Sequence, residues 1–173
     1  MKKMSVLLIT QAAIIAALYV VLTWFSTAIG LSSGVIQVRF SESLSILPFF
    51  TPAAIPGLYV GCLIANMMVP GVIIWDVIFG SLATLLGAVG AYLLRKHKFL
   101  MTLPPVIANT IIVPFVLKYG YGYSWEFEGQ DLSLPYFATT VGIGEIISVC
   151  VLGSILLKVL LPYKNIIFKN EVK

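Results

Sequence analysis

The chain has 173 residues, of which 60% are apolar and only 10% charged, with a mean hydropathy of +1.03. A soluble domain carries roughly 25% charged residues. The composition therefore excludes an ordinary water-soluble fold and fits one whose solvent is a bilayer, where a charge near a helix centre costs about 2.5–3.5 kcal/mol on insertion scales. The net charge of +4 does not indicate a nucleic-acid surface. The basic residues gather at the two ends and in one loop, which is a topology signal rather than a binding face. Cys62 and Cys150 sit in apolar runs without disulfide or metal spacing, and read as small buried hydrophobes.

In chain order, the apolar run from Val6 to about Ile29 follows Met1-Lys2-Lys3. It exceeds the apolar core of a signal peptide, so it reads as a first membrane helix. A spanning helix needs about 20 apolar residues. Residues 5–29, 72–94, 99–118 and 136–161 meet that length. The stretch 41–69 is apolar but interrupted by Pro48, Pro52 and Pro56. Lys2 and Lys3, the Arg95-Lys96-His97-Lys98 loop, and Lys158, Lys164 and Lys169 should share the cytoplasmic side. The chain must then cross an odd number of times between the first helix and residue 95. Crossings at 41–50, 53–69 and 72–94 satisfy this, with Phe50-Thr51-Pro52 as the break. The expected architecture is an all-α integral membrane protein of one domain (residues 1–173). It is a compact six-transmembrane-helix bundle with both termini cytoplasmic. The 30–40 and 119–135 loops face outward, and Gly34–Phe40 has the loose alternation of an extended segment lying over the bundle.

Several chemistries are absent. No G-x-x-x-x-G-K-[ST] phosphate loop occurs, so the chain does not hydrolyse ATP by itself. His97 is the one histidine, in a basic loop, which removes serine–histidine catalysis and histidine-rich metal sites. No cofactor is expected.

The positive signals are acids in apolar helices. Asp76 heads a stripe of small residues, Gly80, Ala83, Gly87 and Ala91, on one helix face. Small residues permit close helix approach, so Asp76 should point into the bundle; the competing account is an interfacial acid near the headgroups. Glu145 lies about nine residues into the last helix, about 13 Å deep at 1.5 Å per residue. An ionisable group at that depth is a functional-site hypothesis by default, against a structural hydrogen bond to another helix. Arg39 and Glu42 flank the start of the second helix and either gate a site, pair with each other or cap the helix. Asn66 and Asn109 either bind a ligand or bond between helices. Trp75 lies beside Asp76; Trp125, with Tyr121 and Tyr123, forms an aromatic belt or a lid. Three carboxyls (Glu42, Asp76, Glu145) against one cation (Arg39) favour a cationic or N–H-rich ligand, and aromatic neighbours favour a flat one. Two small-xxx-small pairs, Ala12 with Ala16 and Ala13 with Ala17, lie in the cytoplasmic half of the first helix and serve internal packing or docking of another membrane protein. An intramembrane enzyme using Asp76 and Glu145, or a membrane scaffold, remains as a rival class.

Several stretches resemble the QueT family: Val38-Arg39-Phe40-Ser41-Glu42, Leu47-Pro48-Phe49-Phe50-Thr51-Pro52-Ala53-Ala54-Ile55-Pro56-Gly57, Gly61-Cys62-Leu63-Ile64-Ala65-Asn66, Trp75-Asp76-Val77-Ile78-Phe79-Gly80-Ser81-Leu82-Ala83-Thr84, and Gly144-Glu145. The likeness extends over essentially the whole chain. It implies a non-catalytic substrate-binding S component of an energy-coupling factor (ECF) transporter, in a prokaryotic plasma membrane. The implied ligand is queuosine or a related 7-deazaguanine (base, precursor or nucleoside). The implied partners are one membrane coupling protein and two ATPase subunits, besides the lipid bilayer and without nucleic acid. The alanine pairs at 12/16 and 13/17 are similar to the motif by which S components dock on the coupling protein. Another S component with a different planar, vitamin-like ligand is the alternative within this superfamily.

Overall fold

The structure is a computed structural model that describes residues 6–31 and 36–168. The basic residues Lys2, Lys3 and Lys169, the helix-start residue Ser5, and Gly34 and Val35 of the expected extended segment lie outside the described residues. Of the described residues 78% are helical, and the chain is an all-α membrane protein. Four of its described helices are long and apolar enough to cross a bilayer: Val6–Ala28, Ile74–Leu93, Leu100–Gly120 and Ser133–Ile167. We number the α-helices α1 (Val6–Ala28), α2 (Ala54–Met68), α3 (Ile74–Leu93), α4 (Leu103–Phe115), α5 (Ser133–Glu145), α6 (Gly153–Leu160) and α7 (Lys164–Ile167). The last two long rods are not uniform. Val116–Gly120 and Ile146–Leu152 are wound as π-helix, the first just beyond Pro114, which has no N–H for the α-helical ladder.

The expected second helix, 41–50, is instead a 3-10 segment, Phe40–Phe49. Its sequence explains the tighter winding. Ser43 competes for a backbone partner, its hydroxyl donating to the Phe40 carbonyl at 2.6 Å, and Pro48 removes a donor. At about 2.0 Å per residue this segment spans about 20 Å, well short of a hydrocarbon core of about 30 Å. Runs of 3-10 helix longer than 3–4 residues are uncommon. Tertiary packing therefore holds this one: residues 41–48 are all buried, and the segment contacts α1, α2, α3, α6 and the second π-helical stretch.

Close approach is made possible by glycine. Gly57 and Gly61 of α2 meet Ala12, Ala16 and Tyr19 of α1, and Gly87 and Gly90 of α3 meet Pro105 and Pro104 of α4. The expected stripe from Asp76 to Ala91 is buried along its length. At the end of the bundle that carries Arg95, Lys96 and Lys98, a core of Leu44, Leu47, Phe50, Met101 and Leu157 is closed by Phe168, whose ring stacks on Phe50 at 5.0 Å.

The two alanine pairs separate. Ala16 is buried and Ala12 half-buried, both turned toward the glycines of α2, whereas Ala13 and Ala17 are exposed. The internal-packing account thus takes Ala12 and Ala16, and only Ala13 and Ala17 offer an open face. Adding a side chain at Gly61 tests this contact, because its β-carbon would fall 2.7 Å from Tyr19 Cβ and 3.0 Å from Ala16 Cα. Gly61→Val is expected to destabilise the protein by about 1–3 kcal/mol, as overpacking does. Ala13→Leu should leave the melting temperature in detergent within error of the parent. Equal melting losses for both would contradict this division of the helix.

Candidate functional site

The helix ends opposite the Arg95–Lys98 loop surround a chamber of about 560 Å³, within the usual ligand-pocket range of about 300–1,000 Å³. Thr23 and Thr27 of α1 line one side, with Gln37 and Arg39 from the extended segment that follows. Asn66 ends α2, the Val69-Pro70-Gly71-Val72 turn forms the rim, and Asp76 opens α3. The other wall is Val113, Leu117, Tyr121 and Tyr123, facing Tyr136, Phe137, Thr140 and Val141 of α5. Beneath the chamber is a recess of about 20 Å³ lined by Glu42, Gly80, Thr84, Asn109 and Glu145. Gln37, Arg39, Asp76, Val113 and Val141 line both compartments.

Local chemistry places each polar group. Asp76 is 7% exposed and accepts a hydrogen bond on Oδ2 from the Tyr121 hydroxyl at 3.0 Å. Burial, and then the Asp76 carboxylate beside it, push the Tyr121 phenol up to about 12, so it stays a donor at neutral pH. The Asn66 amide donates to the Asp76 backbone carbonyl at 3.4 Å. Glu42 neither pairs with Arg39 nor caps its helix: Tyr19 donates to one carboxyl oxygen and Ser45 to the other, the latter at 3.2 Å. The Arg39 guanidinium forms no ion pair among the described residues and faces both compartments. Glu145, 8% exposed, and Asn109, 5% exposed, meet in the recess. The Asn109 amide faces the Glu145 carboxyl as its side-chain partner, although no close hydrogen bond reaches Glu145 Oε2 or Asn109 Nδ2 among the described residues.

One contact seats the extended segment. A β-carbon on Gly144 would stand 2.0 Å from the Gln37 carbonyl oxygen, so only glycine admits the backbone there. The Arg39 N–H donates to Ser148 Oγ at 3.2 Å and the Phe40 N–H to Ser26 Oγ at 2.9 Å. The helix that carries Glu145 therefore also positions Arg39.

Of the expected site residues, Arg39, Glu42, Asn66, Asp76, Asn109 and Glu145 converge on the two compartments. Trp75 does not line either: it is 53% exposed and lies in an apolar groove on the outer surface with Phe79 and Phe115. A residue one step from inward-facing Asp76 is turned about 100° around the helix. Trp125 stacks behind Tyr136 at 4.6 Å rather than facing the chamber. It belongs to a small hairpin, β1 (Glu126–Phe127) paired with β2 (Gln130–Asp131). The Lys118 ammonium and Ser133 hydrogen bonds anchor this hairpin through Asp131 and hold its carboxyl well below the usual range. The aromatic lining is Tyr121, Tyr123, Tyr136 and Phe137. Gln37, Tyr136 and Phe137 were not singled out from sequence. Aromatics at a helix end look like an interfacial belt, and Gln37 gave no signal beyond one polar residue in a loop.

These features define a helical membrane protein with a solute-sized chamber at one end of its bundle, Asp76 and Arg39 in its wall and an acid-rich recess beneath it. The chain belongs to the QueT transporter family, whose profile matches residues 9–162. It is 41% identical over 100 residues to a protein of Lactococcus lactis subsp. cremoris (strain MG1363) described as "Queuosine precursor transporter QueT". The aligned stretch spans 57% of this chain and 57% of that relative. No solved structure matches the chain.

The Tyr19–Glu42 contact underpins the recess. Tyr19→Phe leaves a buried carboxyl oxygen without its donor, which costs about 1–3 kcal/mol. A lowered unfolding midpoint in detergent is expected, and an unchanged midpoint would show the contact to be dispensable.

Proposed function

We propose that this protein is the substrate-capture component of an ECF-type importer and that it binds a queuosine-related 7-deazaguanine on the extracellular side. Membership of a transporter family and the name of the Lactococcus relative support the class. The observation that carries the ligand chemistry is the convergence of Glu42, Asp76 and Glu145 against the single guanidinium of Arg39. A carboxylate accepts two parallel N–H donors well. The donor edge of a guanine-like ring, its ring N–H and exocyclic amine, presents that pattern. Asn66 and Asn109 complement the remaining polar edges. The stacking first expected of Trp75 and Trp125 passes to Tyr121, Tyr123, Tyr136 and Phe137, since flat π-systems pack on aromatic faces.

In this reading the chain forms one membrane domain that passes between its two ends six times, with Phe40–Phe49 and Ala54–Met68, each shorter than a full span, making the second and third passes inside the bundle. The chamber faces outward, and the basic end with both termini faces the cytoplasm. Energy comes from a membrane coupling protein and two ATPase subunits, because the chain has no phosphate-binding loop of its own. The exposed Ala13/Ala17 face of α1 is the docking surface for the coupling protein.

Two experiments test this. Purified protein should bind 7-deazaguanine compounds saturably and far more tightly than riboflavin or folate; equal affinity for all three would end the ligand assignment. Ala17→Leu should reduce cellular uptake at least several-fold while leaving ligand binding by the isolated protein unchanged. A parallel loss of binding would remove the docking role.

A further inference from the structure

Among the described residues, the charged side chains in the chamber wall are Asp76 and Arg39. They do not pair with each other, since the ion pair found among those residues joins Lys118 to Asp131. Their states differ. Asp76 already holds a partner, with Oδ2 accepting from the Tyr121 hydroxyl at 3.0 Å. The bond Arg39 makes to Ser148 at 3.2 Å uses its backbone N–H and leaves the guanidinium unengaged among the described residues. Glu42, the nearest acid in sequence, accepts from Tyr19 and Ser45 instead. A guanidinium is a planar fork of five N–H donors with no acceptor of its own. Half-buried at the mouth of an apolar bundle, such a group is costly unless acceptor oxygens meet it.

The backbone that carries Arg39 is held on both sides. Ser148 takes its N–H, Ser26 takes the N–H of Phe40 at 2.9 Å, and Gly144 admits the Gln37 carbonyl at closest approach. A donor fixed in this way can discriminate between ligands, because it does not swing aside to suit a poor one. The two charges make opposite demands on a solute: Asp76 takes N–H donors, and Arg39 takes an acceptor oxygen. The lactam edge of a guanine-like ring carries both, a carbonyl oxygen beside a ring N–H and an exocyclic amine. Arginine pairs with guanine through that oxygen and the imidazole nitrogen near it. A 7-deazaguanine has carbon in place of that nitrogen, so the carbonyl oxygen is the acceptor left on that side. We infer that Arg39 reads this oxygen and makes the chamber selective for oxo rings over their amino counterparts. The inference rests on the proposed function for the class of ring, and adds which edge is read and by which residue. An amino group in place of the oxygen sets donor against donor and leaves the guanidinium unpaired, the situation in which polar sites reject a near-isostere most strongly.

The test has two readouts. The first titrates purified protein with 7-deazaguanine and with 2,6-diamino-7-deazapurine, in which an amino group replaces the oxygen and the adjacent ring nitrogen loses its hydrogen. The parent is expected to prefer the oxo ring by roughly a hundredfold or more. Both Asp76 and Arg39 contribute to that preference, and a variant isolates the share of Arg39. Arg39→Met should weaken the oxo ring about tenfold or more and the diamino ring by less than about threefold. Equal weakening of both rings at an unchanged melting temperature, or equal affinity of the parent for both, overturns the inference and leaves the proposed function standing. A parent protein that binds neither ring overturns both. The second readout needs no variant. Phenylglyoxal modifies accessible guanidinium groups, and the chain has two arginines, Arg39 and Arg95. Mass spectrometry should find Arg39 modified in ligand-free protein and shielded at saturating 7-deazaguanine, with Arg95 modified equally in both. An Arg39 that resists the reagent in ligand-free protein, or reacts equally with ligand bound, overturns the inference.

Discussion

A ten-residue 3-10 segment, Phe40–Phe49, threads the middle of an apolar helical bundle, and the surrounding elements are shaped to accept it. Such a segment is weak on its own and carries a carboxyl into the interior, where a buried polar group without a partner is costly. Tyr19 and Ser45 take Glu42. Ser26 and Ser148 take the N–H groups where the chain enters the bundle. Gly153 lacks the side chain that would strike Ile46, and Gly144 lacks the one that would strike Gln37. The consequence is a fixed distance between the chain carrying Arg39 and Glu42 and the helix carrying Glu145. The acid-rich recess exists because these two strands of backbone are pressed together there.

Much of this was legible in the chain before its structure. The stripe from Asp76 through Gly80, Ala83, Gly87 and Ala91 correctly turned Asp76 inward, because spacing on a helix is geometry that sequence records directly. Glu145, expected deep in the last helix, is buried there. What failed to show was anything set by pairing between distant segments. The 3-10 winding of 40–49 depends on packing from the elements around it, and an apolar run with serines reads equally as a short α-helix. Trp75 looked like a ligand contact because it neighbours Asp76 in sequence, yet adjacent helical residues face different directions. The alanine pairs were ambiguous for the same reason. Only the glycines at 57 and 61, meeting them across the helix interface, decide which pair is inward.

The layout separates tasks along the bundle axis. The polar and aromatic residues that line the chamber lie at one end, around Asp76 and Tyr121. The open Ala13/Ala17 face lies in the half of α1 nearer the basic end. The proposed capture role fits this arrangement, since a solute site at one end stays intact while a partner grips the other.

The most direct measurement is the structure of the protein with a bound 7-deazaguanine. The ring is predicted to lie in the 560 Å³ chamber, with a donor N–H on Asp76 and one face against Tyr121, Tyr123, Tyr136 or Phe137. Density for the ligand in the surface groove beside Trp75, or none in the chamber at saturating concentration, would contradict the account.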